Sequence, residues 1–194
     1  HGLAMGDRVG TLCWNTQEHL EAYLAIPAMG GVLHTVNVRL AAEQIAYIIG
    51  HAEDRVLILD ASFVPLVASV IGDLPSVDMI VVLGDAPAAL PGFSGKLIGY
   101  EDLIDGVSPF DDWPDLDENS AAVMCYTSGT TGNPKGVVYS HRSIFLHSLA
   151  SLGADAFAIS NRDTLLMVPP MFHANAWGAP FSGWLAGSNF VLPG

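Results

Sequence analysis

Residues 56–83 read VLILDASFVPLVASVIGDLPSVDMIVVL. Val56-Leu-Ile-Leu59 and Ile80-Val-Val-Leu83 are unbroken apolar runs, and between them Leu66, Val67, Val70 and Ile71 recur at helical spacing. A strand with one wet face alternates apolar and polar residues, whereas a strand covered on both faces does not need to. The stretch therefore predicts strand, helix, strand in a sheet buried on both sides.

The same alternation extends upstream. Val9 to Trp14 is a short apolar run, after which Asn15 is placed to cap a helix and Glu18 to complete a capping box. Leu20, Tyr23 and Leu24 follow at helical spacing, Pro27 predicts a kink or early end, and Gly30-Gly31 supplies the stop. Val32 to Val36 reads as the next strand, and Ile45, Ile48 and Ile49 mark one face of another helix. The fold class is α/β, with parallel sheets covered by helices on both faces.

Downstream the character changes. Pro87, Pro91, Gly92 and Gly95 break structure, and eight carboxylates crowd Glu101 to Glu118. Converging carboxylates could hold a metal, but interspersed prolines and the lack of a nearby His favour a solvated connector. The expected organisation is one α/β subdomain over residues 1–100, an acidic connector over 101–119, and a second, incomplete α/β subdomain over 120–194. In the last, Ala121 to Tyr126 and Val137 to Tyr139 read as strands, and a helix runs from about residue 142 to 157, capped by His141 or Ser140. Leu165 to Val168 and Phe190 to Leu192 read as further strands. The chain opens at His1-Gly2-Leu3 and stops directly after a strand-like run, so it is expected to be part of a longer polypeptide.

Composition narrows the function. The 194 residues are 51% hydrophobic and 14% charged, with a formal net charge of −13, which argues against general nucleic-acid binding. Cys13 and Cys125 sit in apolar runs and read as two buried thiols in a reducing compartment rather than a disulfide. A cytoplasmic location is the default expectation.

One loop carries the chemistry: Thr127-Ser128-Gly129-Thr130-Thr131-Gly132-Asn133-Pro134-Lys135-Gly136. Its glycines let the backbone turn tightly and bring N–H groups to an anion, its hydroxyls add donors, and Lys135 adds a point charge suited to phosphate. Lys96 and Lys135 are the only lysines, and no acidic residue occurs from Asn119 to Ala154. Charge is screened beyond roughly 8 Å in physiological salt, so this local balance, not the global one, decides. The loop is not a Walker A motif, because Pro134 precedes the lysine and a strand follows. Composition alone leaves open a Gly/Ser/Thr hairpin with one exposed lysine.

The order of residues goes further. Tyr126 to Val137, YTSGTTGNPKGV, resembles at every position the phosphate-loop signature of the adenylate-forming superfamily of acyl-CoA synthetases, luciferases and peptide-synthetase adenylation domains. Gly6-Asp7-Arg8-Val9, Asn37-Val38-Arg39-Leu40 and Ser140-His141-Arg142-Ser143 are similar to the same family. The resemblance implies a piece of the large N-terminal domain of such an enzyme. It implies a loop around the β- and γ-phosphates of ATP, with Ser128, Gly129, Thr130, Thr131, Gly132 and Lys135 contacting phosphate and Thr127 helping to hold Mg²⁺. A carboxylate would attack the α-phosphate to give acyl-AMP and pyrophosphate, and coenzyme A would then displace AMP. Further motifs of the family, a Tyr-Gly-x-Thr-Glu run, a ribose-binding Asp and a catalytic Lys, are expected in a longer chain.

From Thr164 to Gly194 no charged residue occurs. Pro169, Pro170 and Pro180 argue against a membrane span, which leaves an ordinary core or the wall of an apolar pocket. Pro170 to Trp177, PMFHANAW, resembles the family's second signature as it stands in bacterial medium- and long-chain acyl-CoA synthetases. That resemblance implies His173 beside the reacting carboxylate, as the catalytic residue, with Asn175 and Trp177 along the acyl pocket. Spacing alone leaves His173 as an ordinary core histidine. The expected partners are ATP, a carboxylic acid (a fatty acid first) and coenzyme A, with neither nucleic acid nor a transmembrane segment, and with a homodimer allowed. A ligase for an aryl, branched or short acid, a noncatalytic ATP-binding module and a purely structural α/β domain are the competing readings.

Overall fold

The computed structural model describes residues 2–127 and 133–194. The strands β1 (Arg8–Leu12), β2 (Val32–Thr35), β3 (Asp54–Asp60), β4 (Met79–Leu83), β5 (Lys96–Gly99), β6 (Ala121–Thr127) and β7 (Lys135–Ser140) form one seven-stranded sheet in the order β5-β4-β3-β1-β2-β6-β7. Neighbours are parallel except β6 and β7, which pair as an antiparallel hairpin at one edge. β6 pairs with β2 in the register Leu33↔Val123. The segments on either side of the acidic stretch thus share one sheet, because an apolar strand such as Ala121–Thr127 is most stable when hydrogen-bonded and covered on both faces.

The apolar runs divide by residue parity, as a period of two requires. Val9, Leu33, Val56, Ile58, Met79, Val81 and Val123 pack on one face with Leu20, Tyr23 and Ile26 of α1 (Gln17–Ala28). Leu12, Leu57, Leu59, Ile80 and Val82 pack on the other with α2 (Ala42–Ala52) and α3 (Val64–Val70). Ile45, Ile48 and Ile49 are fully buried there. Each such side chain contributes about 1.5–3 kcal/mol relative to exposure, so the helix faces named by spacing are what fix both layers.

Local signals differ from expectation at three points. Thr16, not Asn15, caps α1, its side chain accepting from the His19 N–H, because Asn15 is engaged elsewhere. Pro27 lies inside α1 one residue before its end, and Gly30 then takes the left-handed conformation that closes the helix. Ser140 caps α5 (His141–Ser151), which stops well short of Phe157 as the chain turns at Gly153. The acidic stretch opens with α4 (Tyr100–Ile104) and continues exposed and without regular structure from 105 to 115. Beyond α5, β8 (Thr164–Leu166) and β9 (Asn189–Val191) pair in parallel as a separate small sheet, joined through a tight turn over Ala174–Gly178 and α6 (Ala179–Ala186).

Gly10 sits mid-strand for a reason of space. The His34 and Asp54 side chains meet across it, Nδ1 to Oδ2 at 2.7 Å, and both are wholly buried. A Cβ at residue 10 would stand 2.7 Å from Asp54 Oδ2. Burial raises the Asp54 carboxyl above the usual range while the His34 ring beside it opposes that shift.

Candidate functional site

In an open parallel sheet the carboxyl ends of the strands are the ligand-binding edge, since the loops that leave them splay where the strand order reverses. Here β1 runs between β2 and β3, with β4 and β5 beyond β3 and β6 beyond β2, so the reversal falls at the end of β1. Three segments converge on that edge.

The first is the loop strand. Thr127 is the last residue of β6 and lies directly opposite Lys135, the first of β7, and both are exposed. The two described ends of the loop therefore stand side by side at the carboxyl edge. Ser128, Gly129, Thr130, Thr131 and Gly132 lie outside the described residues. Behind the pair, the Tyr126 hydroxyl hydrogen-bonds His51 Nδ1 at 2.7 Å, and desolvation pushes its pKa up to about 12, so it stays a neutral phenol.

The second is the stretch from Met167 to Gly178. Asn15, just past β1, donates from Nδ2 to the carbonyls of Met167 at 2.7 Å and Pro169 at 3.0 Å, and its Oδ1 accepts from the Met171 N–H at 2.8 Å. The Tyr23 hydroxyl donates to the Met171 carbonyl. Phe172 lies edge-on to Trp14 with 5.9 Å between ring centroids, and the Arg39 guanidinium stands 5.7 Å from the Phe172 ring. Met171 and Phe172 are buried under these contacts, and His173, next in sequence, is exposed.

The third is the turn after His173, which packs against β6. Ala174, Asn175, Ala176 and Trp177 have φ of 45°, 51°, 47° and 57°, and Gly178 follows at 74°. A run of non-glycine residues in the left-handed region costs roughly 1–2 kcal/mol per residue, so surrounding contacts must hold it. Thr35, the last residue of β2, donates from Oγ1 to Asn175 Oδ1 at 2.9 Å, with both residues buried. His147 Nε2 lies 3.0 Å from the Trp177 carbonyl oxygen, and Ser182 Oγ donates to the Gly178 carbonyl at 3.1 Å.

Of the residues expected in the site, Thr127, Lys135 and His173 thus stand exposed at one edge. Asn175 is instead a buried anchor, and Trp177 is 65% exposed. An apolar cavity of about 620 Å³ lies elsewhere, lined by Tyr23, Pro27, Ile144, Phe145, Phe181 and Trp184 among others, and none of His173, Asn175 and Trp177 is in its wall. Asn15, Thr35 and Phe172 carry the geometry without having been singled out for it. Asn15 reads as a helix cap in sequence, and the partners that claim its side chain are more than 150 residues away in the chain. Among the described residues no group of three or more His, Cys, Asp or Glu could hold a metal ion, and no helix is long and apolar enough to cross a membrane.

Comparisons with known proteins bear on this geometry. A family model described as AMP-binding enzyme matches residues 1–194. A medium-chain-fatty-acid–CoA ligase of Ectopseudomonas oleovorans is 51% identical over 197 residues, covering 100% of this chain and 35% of the relative. A 3-methylmercaptopropionyl-CoA ligase of Ruegeria pomeroyi is 49% identical over 193 residues, covering 100% of this chain and 36% of the relative. Among solved structures, the anthranilate CoA ligase AuaEII in complex with anthranoyl-AMP superposes with a TM-score of 0.87 at 26% identity, over 100% of this chain and 36% of that one. The chain spans about a third of the length of the curated relatives it matches.

Proposed function

The chain belongs to the AMP-binding enzyme family, and from that footing we propose that the full-length protein activates a fatty acid with ATP and passes it to coenzyme A. The observation that carries the proposal is that Lys135 stands opposite Thr127 at the sheet's carboxyl edge, where Thr127 ends β6, the strand against which the turn after His173 packs.

In this reading the acid's carboxylate attacks the α-phosphate of ATP, an acyl-phosphate bond forms, and pyrophosphate leaves. Little covalent chemistry falls to the protein, so its work is positioning and charge stabilisation. Lys135 neutralises charge on the leaving pyrophosphate, together with loop hydroxyls from Ser128, Thr130 and Thr131 and the backbone at Gly129 and Gly132. His173 orients the carboxylate. A thiol of coenzyme A then attacks the acyl carbon and AMP leaves. Thr127 would offer Mg²⁺ one neutral oxygen, and no group of three or more His, Cys, Asp or Glu among the described residues could cage it, which suits an ion that arrives bound to the triphosphate. Such an ion supplies further charge neutralisation at the phosphates.

Support for an apolar acid comes from the uncharged stretch 164–194, within which Trp177 is exposed. The free, buried Cys13 and Cys125 support a reducing, cytoplasmic setting. A second reading, a ligase for a short acid bearing a thioether, is favoured by the 49% identity to the methylmercaptopropionyl-CoA ligase.

Acid-dependent ATP–pyrophosphate exchange by the full-length protein tests the proposal against straight-chain, thioether and aryl acids. Exchange should be fastest with fatty acids. Fastest exchange with the thioether acid would favour the second reading, and no exchange with any acid would overturn both.

A further inference from the structure

We propose that Thr35 is a positioning residue for acid activation, acting through Asn175 to fix the left-handed turn that sets His173 at the reacting edge. The proposal rests on the reading of His173 as the residue beside the carboxylate. Thr35 closes β2 and is 2% exposed, and Asn175 is 4% exposed, so their 2.9 Å hydrogen bond is sealed from water. It ties the turn directly to the sheet. The backbone on the other side of His173 is already fixed by Asn15 at residues 167, 169 and 171. His173 is therefore held between two clamps rooted at the ends of β1 and β2, and its own ring has no described hydrogen bond to a neighbouring residue. Loss of the Thr35 hydroxyl leaves Asn175 Oδ1 buried without a donor, and four non-glycine residues in the left-handed region then relax. His173 moves with them.

The test uses the full-length protein and acid-dependent pyrophosphate release. Thr35→Val keeps the shape and removes the hydroxyl. It should lower kcat about ten- to hundredfold, because a misplacement near 1 Å is that costly, and leave the KM for ATP within about twofold. Thr35→Ser should recover most of the rate. In a His173→Ala background, Thr35→Val should have no further effect on kcat. Wild-type kcat per folded molecule in Thr35→Val overturns the proposal, as does an equal loss in both backgrounds or a loss in Thr35→Ser as large as in Thr35→Val. If Thr35→Val does not fold, Asn175→Ala removes the other end of the bond and faces the same criteria. A His173→Ala protein with wild-type kcat would instead sink the reading of His173, whatever Thr35 does.

Discussion

At the scale of single residues, Lys135 has the plainest role to lose. It is exposed at the base of the loop, opposite Thr127, in a stretch with no acidic residue from Asn119 to Ala154. A charge-assisted hydrogen bond contributes about 1.5–3 kcal/mol, so Lys135→Ala in the full-length protein should slow adenylation roughly ten- to hundredfold. Single-turnover pyrophosphate release checks this, and an unchanged rate would remove Lys135 from the phosphate site. The motif made this residue legible, since lysine is so rare in the chain. Asn15 and Thr35 were not legible. A polar side chain that will be buried by a segment distant in sequence carries no local mark, and Asn15 satisfied a nearer rule, the helix cap, that Thr16 fulfils instead.

At the scale of elements, the apolar-rich runs in β1 to β4 and the helical spacing in α1 to α3 read correctly because each is a local pattern set by burial. Partnering is not local. Nothing in Ala121–Thr127 says that it pairs with β2 and so joins the seven-stranded sheet. Gly10 is the element-level device with a measurable cost. Gly10→Ala would drive a methyl into Asp54 Oδ2 at 2.7 Å and Leu57 Cδ1 at 3.1 Å, forcing apart strands that must also accommodate the buried His34–Asp54 pair. Overpacking of this kind costs about 1–3 kcal/mol. Urea unfolding should show the midpoint falling with little change in slope, and an unchanged midpoint would mean that the carboxylate moves aside freely.

At the scale of the molecule, lack of charge in the last 31 residues proved a blunt signal. Met167, Met171, Phe172 and Ala176 are buried, whereas Val168, Trp177 and Trp184 are 71%, 65% and 63% exposed. Hydropathy cannot tell a core residue from one that awaits a ligand or another part of a longer protein. What unites the molecule is one edge of one sheet, where the loop strand and the clamped His173 stretch meet, and the central claim is that a carboxylate is activated there by attack on the α-phosphate. The most direct measurement follows oxygen. Full-length protein is given ATP, coenzyme A and octanoic acid labelled with ¹⁸O in the carboxylate, and the products are weighed by mass spectrometry. Attack by the carboxylate on the α-phosphate leaves one ¹⁸O in AMP and none in pyrophosphate. Unlabelled AMP, or ADP with label in inorganic phosphate, would contradict it.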